Sequence, residues 1–219
     1  MIARGDVRVN DRVVREGTLV QAGDRVDVQG TAVCGAQPRR YVVLNKPVGV
    51  VTTMRDPQGR RTVAQLLPAG SRIVPVGRLD YDTSGVLLLT NDGELAHRLL
   101  HPRFGVSKRY RAVIEGRLSE SERTRLSAGV SIDGLRTSAA KLRVVATRGN
   151  RSVIDITIHE GRHRQVRRMF EALGHAVAQL TRLQFGPIAL GELAPGHTRP
   201  LTKRERDALE RFREVAEVP

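Results

Sequence analysis

Gly77-Arg-Leu-Asp-Tyr-Asp-Thr-Ser-Gly-Val-Leu-Leu-Leu-Thr-Asn-Asp-Gly93 is the stretch on which the reading of this chain turns. Val86-Leu87-Leu88-Leu89 is apolar without interruption, as a strand is when both of its faces are buried. Thr83-Ser84-Gly85 before it reads as a turn, and Asn91-Asp92-Gly93 closes the run. Glu94-Leu-Ala-His-Arg-Leu-Leu100 has the composition of a short helix, with Asp92 placed to cap it. Arg78, Asp80 and Asp82 therefore stand just before a buried strand, which can hold charged side chains in fixed places for chemistry. Asp is also a common turn residue, so spacing alone leaves both acids open to a capping role.

Outward from this stretch the chain alternates short strands with a few helices. Tyr41-Val-Val-Leu44 reads as a strand ended by Lys46-Pro47, and residues 50–53 as a second strand. Residues 56–61 form a basic turn, and residues 62–67 a short helix halted before Pro68. Residues 108–115 alternate Tyr110, Ala112 and Ile114 against Arg109, Arg111 and Glu115, which gives a half-exposed strand with one basic face. Ser119-Glu-Ser-Glu122 is a capping box for a helix that runs to Ala128, with Gly129 past its end. Strands are expected at 142–146 and 152–159, then at 175–185 and 188–190. Between the two pairs, Val166, Phe170 and Leu173 mark a helix stopped by Gly174, with Arg164, Arg167 and Arg168 on its other side. Thr202 begins a last amphipathic helix carrying Leu209, Phe212 and Val215. Strands outnumber helices and most connections are too short for parallel crossovers. An α+β fold is expected, with a largely antiparallel mixed sheet flanked by helices.

The first 30 residues alternate apolar and polar in short pieces around an Asn10-Asp11 turn, which describes a small β-rich unit. Residues 31–40 have linker composition. The single cysteine, Cys34, lies in that connector and reads as inert; one cysteine allows no internal disulfide, so a reducing cytoplasm is the expected location. No apolar run approaches the length of a membrane span.

Lys and Arg exceed Asp and Glu by 14, and the isoelectric point is near 11.3. The charge is clustered: no acid lies between Asp133 and Asp155, while Arg136, Lys141, Arg143, Arg148 and Arg151 all fall there. Such a surface suits a polyanion, with affinity that falls steeply with salt. Aromatics make up only 3% and tryptophan is absent, which argues against a mode built on stacking many single-stranded bases. Recognition of folded RNA by backbone and shape fits better.

His159-Glu160-Gly161-Arg162-His163 has the spacing of a zinc-protease motif, which needs both histidines on one helix face. Here it ends an alternating strand and contains a glycine, so no metal site is expected. His97 and His101 share i, i+4 spacing but run into Pro102, and read as a helix end.

Four motifs in order carry a family resemblance. Gly77-Arg78-Leu79-Asp80 with Thr83-Ser84-Gly85, Tyr41 through Gly49 with its Lys-Pro turn, Lys108-Arg109-Tyr110, and Glu160 through Met169 together resemble ribosomal RNA pseudouridine synthases, closest to the RsuA/RluB branch. Residues 1–30 resemble the strand half of a small RNA-binding domain found in a ribosomal small-subunit protein. That domain ordinarily begins with two basic helices, so either a truncated copy or a start assigned too late is expected. The resemblance implies a partial RNA-binding domain at 1–30, a linker at 31–40, a catalytic domain at 41–202 and a C-terminal helix at 203–219.

For the site the resemblance implies Asp80 as nucleophile, Arg167 as the guanidinium that keeps it ionised, and Tyr110 as the ring that packs on the target base. Arg78 fills the space left by the flipped uridine. Arg164 and Arg168 contact phosphate or are solvated, and Lys46 and Lys108 position phosphate or are structural. Isomerisation involves no redox change, so no cofactor is expected. A monomer acting on ribosomal RNA, of the large subunit rather than the small, is the reading; alternatives are a non-catalytic assembly factor that binds RNA, or the same chemistry on small-subunit, transfer or messenger RNA.

Overall fold

The computed structural model describes residues 1–21, 23–33, 38–68, 70 and 72–214. Cys34 and Val215, both read from sequence, lie outside them. The chain separates into two compact units, Met1–Arg39 and Arg40–Pro219.

The first unit is a four-stranded antiparallel sheet of β1 (Val7–Val9), β2 (Arg12–Val13), β3 (Val26–Val28) and β4 (Thr31–Ala32), in the order β2-β1-β3-β4. Asn10 and Asp11 both take positive φ, 48° and 66°, as a two-residue hairpin turn between β1 and β2 requires. Thr31 and Ala32, assigned to the linker from composition, pair with β3 instead.

The second unit begins with β5 (Tyr41–Lys46), followed by β6 (Val74–Pro75), β7 (Thr83–Thr90), α1 (Gly93–Leu100), β8 (Lys108–Glu115) and α2 (Glu120–Ala128). A short hairpin, β9 (Ser131–Ile132) and β10 (Leu135–Arg136), leads to the long pair β11 (Lys141–Arg148) and β12 (Arg151–Ile158). Then come α3 (Gln165–Glu171), β13 (Val177–Phe185), β14 (Ile188–Ala189), β15 (Thr198–Pro200) and α4 (Lys203–Glu214). The main sheet runs β11-β12-β8-β13-β7-β5-β15, with β14 added to β13 and β6 to β7. β13 with β7 is its one parallel pair among the described residues.

β7 shows why its sequence has no polar alternation. Val86 and Leu88 point into a cluster with Leu95 and Leu99 of α1, Phe185 and Leu209 of α4. Leu87 and Leu89 point the other way, into a cluster with Ile154 and Ile156 of β12 and Val166, Met169 and Phe170 of α3. All four are fully buried. Burying four such side chains stabilises the fold by roughly 6–12 kcal/mol before entropy is counted.

Several local expectations hold in detail. Asp92 accepts from the Leu95 amide at the start of α1, and Ser119 and Glu122 form a reciprocal capping box on α2. Others do not. Among the described residues, 50–53 form no strand but a single bridge, Val51 with Thr62, and the Thr52 hydroxyl bonds Leu79. Thr83-Ser84-Gly85 is the first part of β7 rather than a turn: it pairs in parallel with Leu180, Thr181 and Arg182.

Gly85 makes that pairing possible. Its φ is 111°, and a Cβ built there would stand 2.2 Å from the Arg182 carbonyl oxygen. Only glycine allows the two backbones to approach so closely.

Candidate active site

Residues 79–82, just ahead of β7, are held by four consecutive main-chain carbonyls. The Thr52 hydroxyl donates to Leu79 O at 2.7 Å, and the Leu79 amide returns a bond to the same hydroxyl. The Thr83 amide donates to Asp80 O, and the Gly49 amide donates to Tyr81 O at 2.9 Å. Nη2 of Arg167 donates to Asp82 O at 2.8 Å. An acid carried on backbone fixed at every step is preorganised rather than mobile.

This loop forms one wall of a cavity of about 730 Å³, large enough for a nucleoside. Asp80, Arg78, Lys108, Tyr110, Arg164 and Arg182 all line it. Tyr110 is buried in β8 and paired in register with Arg182 of β13, so two adjacent strands set the opposite wall. Arg78 is exposed at the cavity.

Arg167 does not meet the expectation of a direct ion pair with Asp80. It is buried at 5% exposure, and its guanidinium spans the Asp82 carbonyl and Val177 O, at 2.7 Å. Its Nε stands 3.2 Å from the Asp82 carboxylate, outside hydrogen-bonding alignment. Arg164 grips that carboxylate as a fork, 3.1 Å to each oxygen, from a left-handed backbone position (φ 50°) at the start of α3. Burial opposes the charge on Asp82, but the Arg164 bonds and the charges of Arg167 and Arg164 outweigh it, holding the carboxyl below its usual range. The bonds to Asp82 raise the Arg164 pKa, and Asp80 adds to that field. Both arginines therefore hold Asp82, two residues beyond Asp80 on the same clamped loop.

The lysines and Arg168 are placed differently from a phosphate-contacting set. Lys46 is fully buried, and its Nζ donates to Val50 O at 2.7 Å and Pro47 O at 2.9 Å, so of its two expected roles the structural one has the contacts. Burial lowers its pKa to about 8, against the opposing pull of Asp80 and Asp82. Lys108 donates to Val106 O, and its pKa is lowered by burial and then by the charge of Arg182. Arg168 forms an ion pair with Asp133 in the β9–β10 turn.

The zinc-like motif is not on a helix. It occupies the connection from β12 to α3, where His159 Nδ1 meets Gly105 O and Glu160 accepts from the Ser138 amide and from Gln165 Nε2. His101 caps the turn at residues 102–104 by accepting from the Arg103 amide.

Sequence reading passed over Thr52, Gly49 and Arg182. A basic residue amid the apolar positions of β13 was the one signal pointing to Arg182, since arginine is seldom buried without a purpose.

Known proteins are similar to this chain in sequence and in fold. The family model described as RNA pseudouridylate synthase matches residues 40–172. An uncharacterized RNA pseudouridine synthase of Aquifex aeolicus (strain VF5) is 42% identical, over 94% of this chain and 84% of that protein. The ribosomal large subunit pseudouridine synthase B of Bacillus subtilis (strain 168) is 41% identical, over 99% of this chain and 89% of that one. A crystal structure of a pseudouridylate synthase superposes with a TM-score of 0.73 at 31% identity, covering 95% of this chain and 90% of the other. The chain belongs to the RNA pseudouridylate synthase family, in its RsuA/RluB branch.

Proposed function

We propose that this protein isomerises a uridine of large-subunit ribosomal RNA to pseudouridine, with Asp80 as nucleophile. The observation that carries the reading is the fixing of residues 79–82 by four main-chain carbonyls beside a nucleoside-sized cavity that Asp80 lines. RNA binding alone has no use for an acid so held. The charge of +14 suits a polyanionic substrate, and the name of the Bacillus subtilis relative supports the large subunit.

The reaction breaks the bond between uracil N1 and ribose C1′, turns the ring, and joins C5 to C1′. The C5 proton is lost and one is gained at N1, so nothing is oxidised. A carboxylate can carry the covalent intermediate on the ribose or on the ring. The target base must first leave its stack, at a cost of a few kcal/mol. In this reading Arg78 occupies the vacated space, and Tyr110 packs on the base and moves a proton in the last step. The protein works as a cytoplasmic monomer with no small-molecule cofactor.

The test is base-resolution mapping of pseudouridine in ribosomal RNA after incubation with the purified protein, beside Asp80→Asn. A new site in large-subunit RNA, absent with the variant, is expected. A site that persists with Asp80→Asn overturns the nucleophile; tight, salt-sensitive binding with no new site overturns the enzyme in favour of an assembly factor.

A further inference from the structure

Arg182 sits in the middle of the sheet at 3% exposure. Burying a guanidinium is costly unless an acid and hydrogen bonds compensate it. Among the described residues no carboxylate lies within ion-pair distance of Arg182. Its Nε donates to Val86 O at 2.8 Å, and its Nη2 is buried without a hydrogen-bond partner. The guanidinium carbon stands 4.9 Å from the centre of the Phe185 ring, within cation–π range. Its backbone is locked on both sides, to Gly85 of β7 and to Tyr110 of β8. A second buried cation, Lys108, shares this wall, its Nζ 5.9 Å from the same ring.

We propose that Arg182 is a further substrate-contacting residue: its free N–H binds a carbonyl oxygen of the flipped uracil and stabilises the negative charge that oxygen gains during the reaction. The proposal rests on the reading given under Proposed function. It serves either chemical route. If the Asp80 carboxylate adds to C1′, the C1′–N1 electron pair leaves with the uracil and spreads onto O2 and O4. If it adds to C6, the C5–C6 electron pair moves onto O4. In both, an oxyanion forms on the base, where a preorganised donor in a dry site has most effect. A base carbonyl suits this position better than a phosphate. The phosphates of a flipped nucleotide stay joined to the strand outside, where exposed cations such as Arg78 stand, whereas the base penetrates to the buried ones.

The experiment measures single-turnover release of tritium from C5 in transcripts made with uridine, 2-thiouridine, 4-thiouridine or uridine α-phosphorothioate. Wild type, Arg182→Lys and Arg182→Gln are compared, with melting and RNA affinity measured for each. On uridine RNA, Arg182→Gln is expected to be slower by about 100- to 1,000-fold, the effect of removing one oxyanion donor. RNA affinity is expected to stay within about threefold of wild type, since the strand contacts that dominate it are untouched. Because sulfur accepts hydrogen bonds poorly, the gap between wild type and variant should shrink on one thiocarbonyl RNA and persist on the phosphorothioate. Unchanged rates, a gap that survives on both thiocarbonyl RNAs, or one that shrinks only on the phosphorothioate would each overturn it. If both variants unfold, wild type decides: no slowing on either thiocarbonyl RNA overturns the proposal. Silence of wild type on uridine RNA counts against the parent reading instead.

Discussion

Arg167 bonds the main chain of Asp82, not the side chain of Asp80. Its Nη2 reaches the Asp82 carbonyl at 2.8 Å while Nη1 reaches Val177 at 2.7 Å, so one planar group ties the loop that carries Asp80 to the start of β13. A lysine ammonium has no fork with which to span both carbonyls. Arg167→Lys is therefore expected to lower kcat by about 10- to 100-fold, the scale of a displacement near 1 Å, with little change in KM. Asp82→Asn removes Arg164's charged partner but leaves the Arg167 bond to the backbone, so its loss should be smaller. Steady-state kinetics on one RNA with both variants checks the order; the reverse order would make the Asp82 carboxylate the anchor.

Gly85 gives a test of the fold that does not depend on RNA. A Cβ there would clash with backbone atoms of Arg182 at 2.2, 2.6 and 2.8 Å, and backbone in mid-sheet cannot swing aside as a side chain can. Gly85→Ala is expected to cost about 3 kcal/mol, combining overpacking with an unsuitable φ. For a chain of this size that lowers the Tm by roughly 6–12 °C. Gly93→Ala, where an added Cβ meets nothing within 4 Å, is the control and should be neutral or slightly stabilising.

What could be read from sequence follows the range of the forces involved. The caps at Asp92 and Ser119 and the alternation of β8 are local, set by residues a few positions apart, and they hold. The apolar run at 86–89 was legible because burial on both faces removes the polar alternation. Thr83-Ser84-Gly85 was misread because its glycine answers a contact nearly a hundred residues away, and short-range chemistry makes glycine a turn residue. The same applies to the site. Asp80 is singled out by a local motif, but the partner of Arg167 is decided by where β13 packs, and the choice between a phosphate and a structural role for Lys46 stayed open because its burial is set by tertiary packing.

Lys46 carries a pH dependence of known sign. Its pKa falls from 10.5 to about 8 on folding, chiefly because burial disfavours its charge. Between those values the unfolded chain holds the proton and the folded chain does not, so stability rises with pH there. Below pH 8 both states are protonated and the penalty is constant. Lys46→Met has no such group. Wild-type stability relative to Lys46→Met should therefore improve by about 2 kcal/mol from pH 8 to pH 9.5, at 1.36 kcal/mol per unit. Urea unfolding of both proteins across this range measures it; parallel curves would mean that Lys46 keeps its proton inside the fold.

Arg78 is exposed where it lines the cavity, unlike Lys108 and Arg182, and stands one residue before the loop clamped by Thr52. If its side chain holds open the space a flipped uridine leaves, its contribution should scale with what flipping costs. That cost is a few kcal/mol in a stacked, paired site and less where the base is already mismatched or unpaired. Arg78→Ala is therefore expected to slow turnover by about 10- to 100-fold on a paired target, and by less than about threefold on the same uridine in an open loop. A phosphate contact would behave otherwise, weakening both substrates alike and reducing the salt dependence of binding. Measuring single-turnover rate and affinity on the two RNAs at two salt concentrations separates the cases: equal losses with a shallower salt slope would reassign Arg78 to the backbone.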